Sequence, residues 1–333
     1  MSWGLIGAST IAAEHMIKAI RKVVREQVTF VNSSSQSHAE AFATTHGIPK
    51  FSTELALLLA EPLVRAVYIS STNDRHHAQA MQAIAAGKHV LCEKPLALTL
   101  DHAVQMVQAA QAKGVLLGTN HHLRCAGSHR AARDLIAAGR IGRVLSLRLH
   151  HAVHLPPHLH GWRINGAAGG GVIADITVHD ADVARFLLAE DPVSVVAQAG
   201  TSGMGQGVED SVMSVWTMPS GAMVMAHESF THAFAGTGFE VHGTEGSIFA
   251  RGVMTQNPVG AVEVVTAAGQ QSVPYDATGL YDYGVQRFVA AMDGTGTPAA
   301  TGWDGVKSLA VALAVAAAAA SGQRADINYG AAP

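Results

Sequence analysis

Apolar residues in the first third of the chain fall into short runs separated by stretches with helical spacing. "GLIG" (4–7), "VTFVN" (28–32), "RAVYIS" (65–70), "KHVLC" (88–92) and "VLLGT" (115–119) are nearly continuous apolar segments. That is the pattern of strands covered on both faces. The spacing between them predicts helices over 9–21, 37–46, 74–86 and 100–113, the last two stopping at Gly87 and Gly114, where a helix C-cap favours glycine. Strand and helix in alternation imply a doubly wound parallel sheet.

After about residue 120 the rhythm changes. A helix is expected over 128–138, then "RVLSLRLHH" (143–151) alternates as a half-exposed strand does. "SVVAQAG" (194–200), "SVMSVWTM" (211–218) and "AMVMAHESF" (222–230) follow, the last two joined by Pro219, Ser220 and Gly221 as a hairpin. The expected fold is α/β: a dinucleotide-type domain over 1–120, then an α+β domain over 121–333 with a mostly antiparallel sheet. An Ala-rich helix over 303–321 ends the pattern.

Composition narrows the partners. Of 333 residues 48% are hydrophobic and 14% charged, enough for a large core, and the net charge is −3 with 5% aromatic residues. Without a basic patch, nucleic acid is not an expected partner, and a small molecule is. Cys92 and Cys125 cannot form a disulfide framework, which suits a reducing, cytoplasmic setting. "WGLIGASTIAA" lacks a basic leader, and "LAVALAVAAAAA" (309–320) is 12 residues long, short of the ~20 that a membrane span needs.

Candidate chemistry begins at the first strand. In "GLIGASTIA" the small residues Gly7, Ser9 and Ala12 are spaced as in a G-x-G-x-x-G/A turn. Such a turn aims helix-terminal N–H groups at a pyrophosphate. After the second strand "NSSSQSH" (32–38) holds no acid to contact a ribose hydroxyl. Ser33, Ser34 and His38 could instead meet a 2′-phosphate, which favours NADP over NAD, although the serines could equally cap the next helix.

Glu93, Lys94 and Pro95 stand after the fourth apolar strand in this count, at the edge where doubly wound sheets bind ligands. Lys94 could polarise a substrate oxygen, with Glu93 orienting it. In "GGGVIADITVHDAD" (169–182) a helix would stack Asp175 and His179 at i and i+4 as an acid/base pair. Asp175 could also be an N-cap, and Asp180 and Asp182 fall on other faces with structural roles. The run His150, His151, His154, His158 and His160 is interrupted by prolines, so no metal site is expected. Trp162 and Arg163 behind it could cap a nicotinamide or sugar ring.

Together these motifs resemble the Gfo/Idh/MocA family of sugar oxidoreductases nearly end to end. The likeness rests on "GLIGASTIA", on "STNDRHHAQAMQAIAAGKHVLCEKPLALTL", on "GTNHHLR" and on "GGGVIADITVHDAD", in that order. It implies a Rossmann domain followed by a domain with an open sheet, and metal-free hydride transfer. It also implies a cofactor site lined by Gly7, Ser9, Thr10, Ile11, Ala12, Ser33, Ser34, His38, Ser71, Thr72, Asn73, His76, Glu93, Lys94, Asn120, Trp162, Arg163 and Tyr281. Lys94, Asp175 and His179 are then the catalytic set. The implied reaction is NADPH-dependent reduction of a sugar ketone, 1,5-anhydro-D-fructose, to 1,5-anhydro-D-mannitol. NAD, a sugar or inositol dehydrogenase and an NAD-dependent glycosidase stay open as alternatives, and so does a monomer against a homo-oligomer through the C-terminal sheet. His38 stands where NADP-using relatives often carry Arg.

Overall fold

The computed structural model describes residues 2–23, 25–166 and 169–330. They form two compact units. One runs up to His121 and takes back Tyr281–Val306 and Gly330; the other holds His122–Leu280 and Lys307–Tyr329. A linear division at residue 120 assigns 281–306 to the second domain, whereas these residues lie in the first unit: Phe288 packs its ring 5.6 Å from Trp3, and Thr301 bridges to Gly118.

The first unit is a six-stranded parallel sheet of β1 (Ser2–Ile6), β2 (Gln27–Asn32), β3 (Lys50–Ser52), β4 (Val64–Ile69), β5 (His89–Cys92) and β6 (Leu117–Thr119). Its order is β3-β2-β1-β4-β5-β6, that of a dinucleotide-binding sheet, with the strand order reversing between β1 and β4. Every residue of β1 is buried, as an apolar run covered on both faces requires.

The helices of this unit are α1 (Ile17–Lys22), α2 (Gln36–His46), α3 (Leu55–Leu59), α4 (His76–Ala85) and α5 (Leu100–Lys113). Capping explains their limits. Ser35 opens α2 and Thr99 opens α5, each accepting from a backbone N–H, and Gly114 closes α5 at φ 71°. Two expectations change here. The helix over 9–21 begins as a π-helical turn, Ala12–Met16, before α1. The three residues of β3 are too few to show a period, so Glu93 and Lys94 follow the fifth strand and not the fourth.

The second unit is built on a nine-stranded sheet. Its strands are β7 (Val144–Ala152), β8 (Ser194–Gly200), β9 (Ser211–Thr217), β10 (Met223–Ser229), β11 (Thr237–Gly243), β12 (Gly246–Arg251), β13 (Ala261–Thr266), β14 (Gly269–Ser272) and β15 (Ala325–Asp326). They run in the order β14-β13-β12-β11-β7-β10-β9-β8-β15. All neighbours are antiparallel except β7 and β10, which pair in parallel with His151 opposite Glu228. Helix α6 (Gly127–Ala137), the short α7 (Trp162–Asn165) and α8 (Val178–Leu188) belong to it.

Alternation divides the two faces of that sheet. Val212, Ser214, Trp216, Val224, Ala226 and Glu228 are buried, while Met213, Val215, Met223 and Met225 are exposed. The chain then continues through α9 (Leu280–Met292) to α10 (Gly302–Ser321). The apolar run at 309–320 is therefore part of a 20-residue helix, long and apolar enough to cross a membrane, but with Val306, Val311, Val315 and Ala318 buried in protein.

Candidate active site

The predicted residues divide between the units: Gly7 to Asn120 and Tyr281 fall in the first, and Trp162, Arg163, Asp175 and His179 in the second.

In the first unit the strand ends at the β1/β4 reversal carry the glycine turn. Gly7 has φ 112°, and a Cβ there would stand 2.8 Å from the backbone of Ser70 and Ser71, so only glycine fits. Ser9 Oγ donates to Ser70 Oγ (2.7 Å) and accepts from Ala12 N (3.2 Å). Ser9 thus ties the two loops together and opens the helix. Thr10 is exposed, Ile11 half-buried and Ala12 buried against the sheet.

At the end of β2, Ser33 is buried with its Oγ 3.4 Å from His38 Nδ1, while Ser34 and His38 are exposed. The helix-capping role belongs to Ser35. After β4, Ser71 Oγ donates to Gln79 (2.6 Å), Thr72 is half-buried and Asn73 is buried. His76 is fully buried, with Nδ1 2.8 Å from the Pro95 carbonyl and Nε2 3.2 Å from that of Ser71. It holds the loop after β4 to the loop after β5.

The loop after β5 carries Glu93 and Lys94, with a cis Lys94–Pro95 bond. Glu93 Oε1 accepts from the Tyr68 hydroxyl and from Asn120 Nδ2, the latter at 2.6 Å. Burial raises its carboxyl above the usual range, and its hydrogen-bond donors and Lys94 pull it back. Burial and then the Glu93 charge raise Tyr68 well above an ordinary phenol. Tyr281 stacks on His15 at 4.7 Å.

In the second unit the glycines before the helix that carries Asp175 and His179 face the protein itself. A Cβ on Gly170 would stand 2.2 Å from the Trp162 carbonyl, and one on Gly171, at φ 102°, 2.3 Å from Glu209 Oε1. Glu209 Oε1 accepts from Ile173 N (3.1 Å) and its carbonyl from Val172 N (3.1 Å). A carboxylate therefore caps the helix start, where the dipole favours one.

Asp175 lies on a π-helical turn, Ile173–Thr177, that leads into α8. Its Oδ2 accepts from Arg163 Nε at 3.2 Å, and the Arg163 guanidinium sits 4.5 Å over the Trp162 ring. Arg163, assigned from sequence to the cofactor, is the partner of Asp175. His179 meets the His122 ring edge-on at 4.8 Å and the His151 ring at 6.5 Å. His151 Nδ1 lies 2.9 Å from Asp180 Oδ1. Asp182, on the same helix, accepts 2.8 Å from Arg124 Nε in a buried ion pair.

His122 and Glu209 were not singled out in the sequence, while His151 was read only as part of the histidine run and Asp180 only as structural. His151 alone left a signal, since alternation places it on the inner face of β7 with Leu147 and Leu149. The histidine run does not converge: His150 pairs across the sheet with His227 on the other face, and His154 and His158 are exposed. Among the described residues no group of three His, Cys, Asp or Glu side chains is placed to hold a metal.

Residues 1–121 match the family described as an oxidoreductase family with an NAD-binding Rossmann fold, and 129–249 match the GFO/IDH/MocA C-terminal domain. The chain is 55% identical over 330 residues to the 1,5-anhydro-D-fructose reductase of Ensifer adhaerens, covering 98% of this chain and 99% of that one. This protein belongs to the Gfo/Idh/MocA family. Two solved structures share its fold. The aldose-aldose oxidoreductase of Caulobacter crescentus superposes with a TM-score of 0.91 at 23% identity, over 98% of this chain and 99% of that one. A levoglucosan dehydrogenase in complex with NADH and levoglucosan does so with 0.88 at 24%, over 99% of each.

As a Gfo/Idh/MocA oxidoreductase the chain carries an NAD-binding Rossmann domain. Its residues fit a dinucleotide: the Gly7 turn has no room for a side chain and lies at the strand-order reversal of a Rossmann sheet.

Proposed function

We propose that this protein reduces the ketone of 1,5-anhydro-D-fructose to 1,5-anhydro-D-mannitol with NADPH. The observation that carries the reading is the near-full-length 55% identity to the Ensifer reductase, together with Lys94, Asp175 and His179 all in place.

NADPH bound at the Gly7 turn supplies the hydride. Lys94 polarises the ketone oxygen and orients the sugar, and Pro95, held through His76, fixes the backbone behind it. His179 gives the proton that the new alcohol needs, with Asp175, itself held by Arg163, favouring the charged imidazole. Ser33, Ser34 and His38 take the 2′-phosphate. Thr10, Ile11, Ser71, Thr72, Asn73, Asn120, Trp162 and Tyr281 shape the cofactor's surroundings.

The protein acts in the cytoplasm, where its two buried cysteines, joined in no disulfide, stay reduced. The exposed Met213, Met223 and Met225 face is its surface for a second copy.

The test is nicotinamide absorbance with 1,5-anhydro-D-fructose, run with NADPH and with NADH. Fast loss with NADPH is expected. Loss only with NADH overturns the serine-loop assignment, and loss with neither overturns the reductase.

A further inference from the structure

Next to His179 the second unit buries two carboxyl groups that the reaction above does not use. Glu228 and Asp180 are both 0% exposed. Because β10 runs parallel to β7 with Glu228 opposite His151, Glu228 leaves the sheet on the face where His151 meets Asp180 of α8 at 2.9 Å. Neither Glu228 carboxyl oxygen, nor Asp180 Oδ2, takes part in a hydrogen bond of normal geometry.

The other groups around this pair are few. Val212 of β9 is Glu228's other strand neighbour, Thr177 stands beside it from the π-helical turn, His150 of β7 acts on Asp180, and His129 of α6 is near His151. Arg124, the nearby guanidinium, is engaged with Asp182. Burial and then Asp180 push Glu228 well above the usual carboxylate range, and burial raises Asp180 while His151 draws it back. A carboxyl group so enclosed is held neutral until the solution is basic enough to force it open.

We propose that Glu228 is an electrostatic positioning residue for the His151–His179 pair. It is neutral at low pH, and as it ionises its negative charge holds the proton on the His179 imidazole further into the alkaline range. The path is short: Glu228 to His151 across one strand pairing, and His151 to the His179 ring at 6.5 Å. The inference rests on the reading of His179 as proton donor.

The experiment compares kcat against pH for the wild type, Glu228→Gln, Glu228→Asp and His179→Asn with NADPH and 1,5-anhydro-D-fructose. Infrared spectra of the same proteins, and of His151→Asn, accompany it. Glu228→Gln keeps the shape of the neutral acid but can never ionise. Its alkaline limb should lie about one pH unit lower, the scale of one added charge at this range in a partly polar interior, which is roughly a tenfold loss relative to its own plateau. Glu228→Asp should fall between.

The wild type should also show the carbonyl band of a buried neutral acid that fades as pH rises, and Glu228→Gln should lack it. Superimposed alkaline limbs in wild type and Glu228→Gln overturn the inference. If His179→Asn keeps wild-type turnover, it is the donor reading that fails. The infrared titration then decides Glu228 alone: its midpoint should move in His151→Asn, and an unmoved midpoint overturns the coupling. The same infrared comparison applies if Glu228→Gln does not fold.

Discussion

The two units hold their functional groups by different means. In the first, the groups sit on loops at strand ends and meet neutral partners: Glu93 accepts from Tyr68 and Asn120, His76 spans two carbonyls, and Ser9 meets Ser70. In the second they sit on and around one helix and meet charges: Asp175 with Arg163 and Asp182 with Arg124. The first arrangement fixes position through the backbone, and the second fixes it through ion pairs that leave an uncompensated charge when broken. Neutral, isosteric changes should therefore be mild in the first unit, and single truncations severe in the second.

The largest expected effect is on turnover. Lys94→Ala and His179→Ala should each lower kcat by roughly 10²–10⁴-fold, with nucleotide affinity in His179→Ala within about threefold of wild type by fluorescence titration. A nucleotide affinity that collapses with His179 would break the division between the units.

Stability gives the sharpest contrast. Arg124→Ala removes the guanidinium from the buried Asp182 carboxylate and should cost about 3–5 kcal/mol in denaturant unfolding. Glu93→Gln, which keeps a group able to accept from Tyr68 and Asn120, should cost about 1 kcal/mol or less. Equal losses would show that both units rely on charge.

A smaller loss is expected at the helix start. Gly171→Ala puts a methyl against the Glu209 carboxylate at a left-handed φ, at a cost of about 1–3 kcal/mol. If the cap positions Asp175 and His179, kcat falls with it, and an unchanged kcat in the folded variant would separate the cap from the chemistry.

The last effect, confined to acid pH, is the slope set by His129. Burial, and then the His151 charge, lower its imidazole from 6.5 to about 3. The unfolded chain therefore binds the extra proton between those values, and stability is lost as pH falls through that window. The slope is about 1.4 kcal/mol per pH unit. His129→Gln should flatten the slope in melts recorded across the window, and an unchanged slope would assign acid lability to other groups.

These contrasts parallel what could be read in the sequence. The parallel sheet announced itself because a doubly covered strand is a continuous apolar run, and the Gly7 turn and the Lys94 edge are local in the chain. The three-residue β3 and the five-residue α3 are too short to show a period. In the second unit Asp175 and His179 were legible as a helical pair, whereas their surroundings are not local. Arg124 meets Asp182 and His151 meets Asp180 through tertiary packing alone, and nothing in the spacing of 169–171 shows that the glycines exist for Trp162 and Glu209. The Asp175 pairing with Arg163 was hidden for the same reason: both residues were visible, their contact was not.

The Glu209 cap has a consequence in time as well as in space. It reaches back 36 residues to Ile173, and its neighbour Asp210 gathers the backbone of Ser202, Met204 and Gly205. The start of the helix that carries Asp175 and His179 is thus secured by a segment synthesised after it, through a contact with a long loop to close. A growing chain can pair β1 to β6 early, yet it cannot secure the start of the helix that carries Asp175 and His179 until the strands around Glu209 have closed, so the proposed proton donor is set late in folding and marks the second unit as complete.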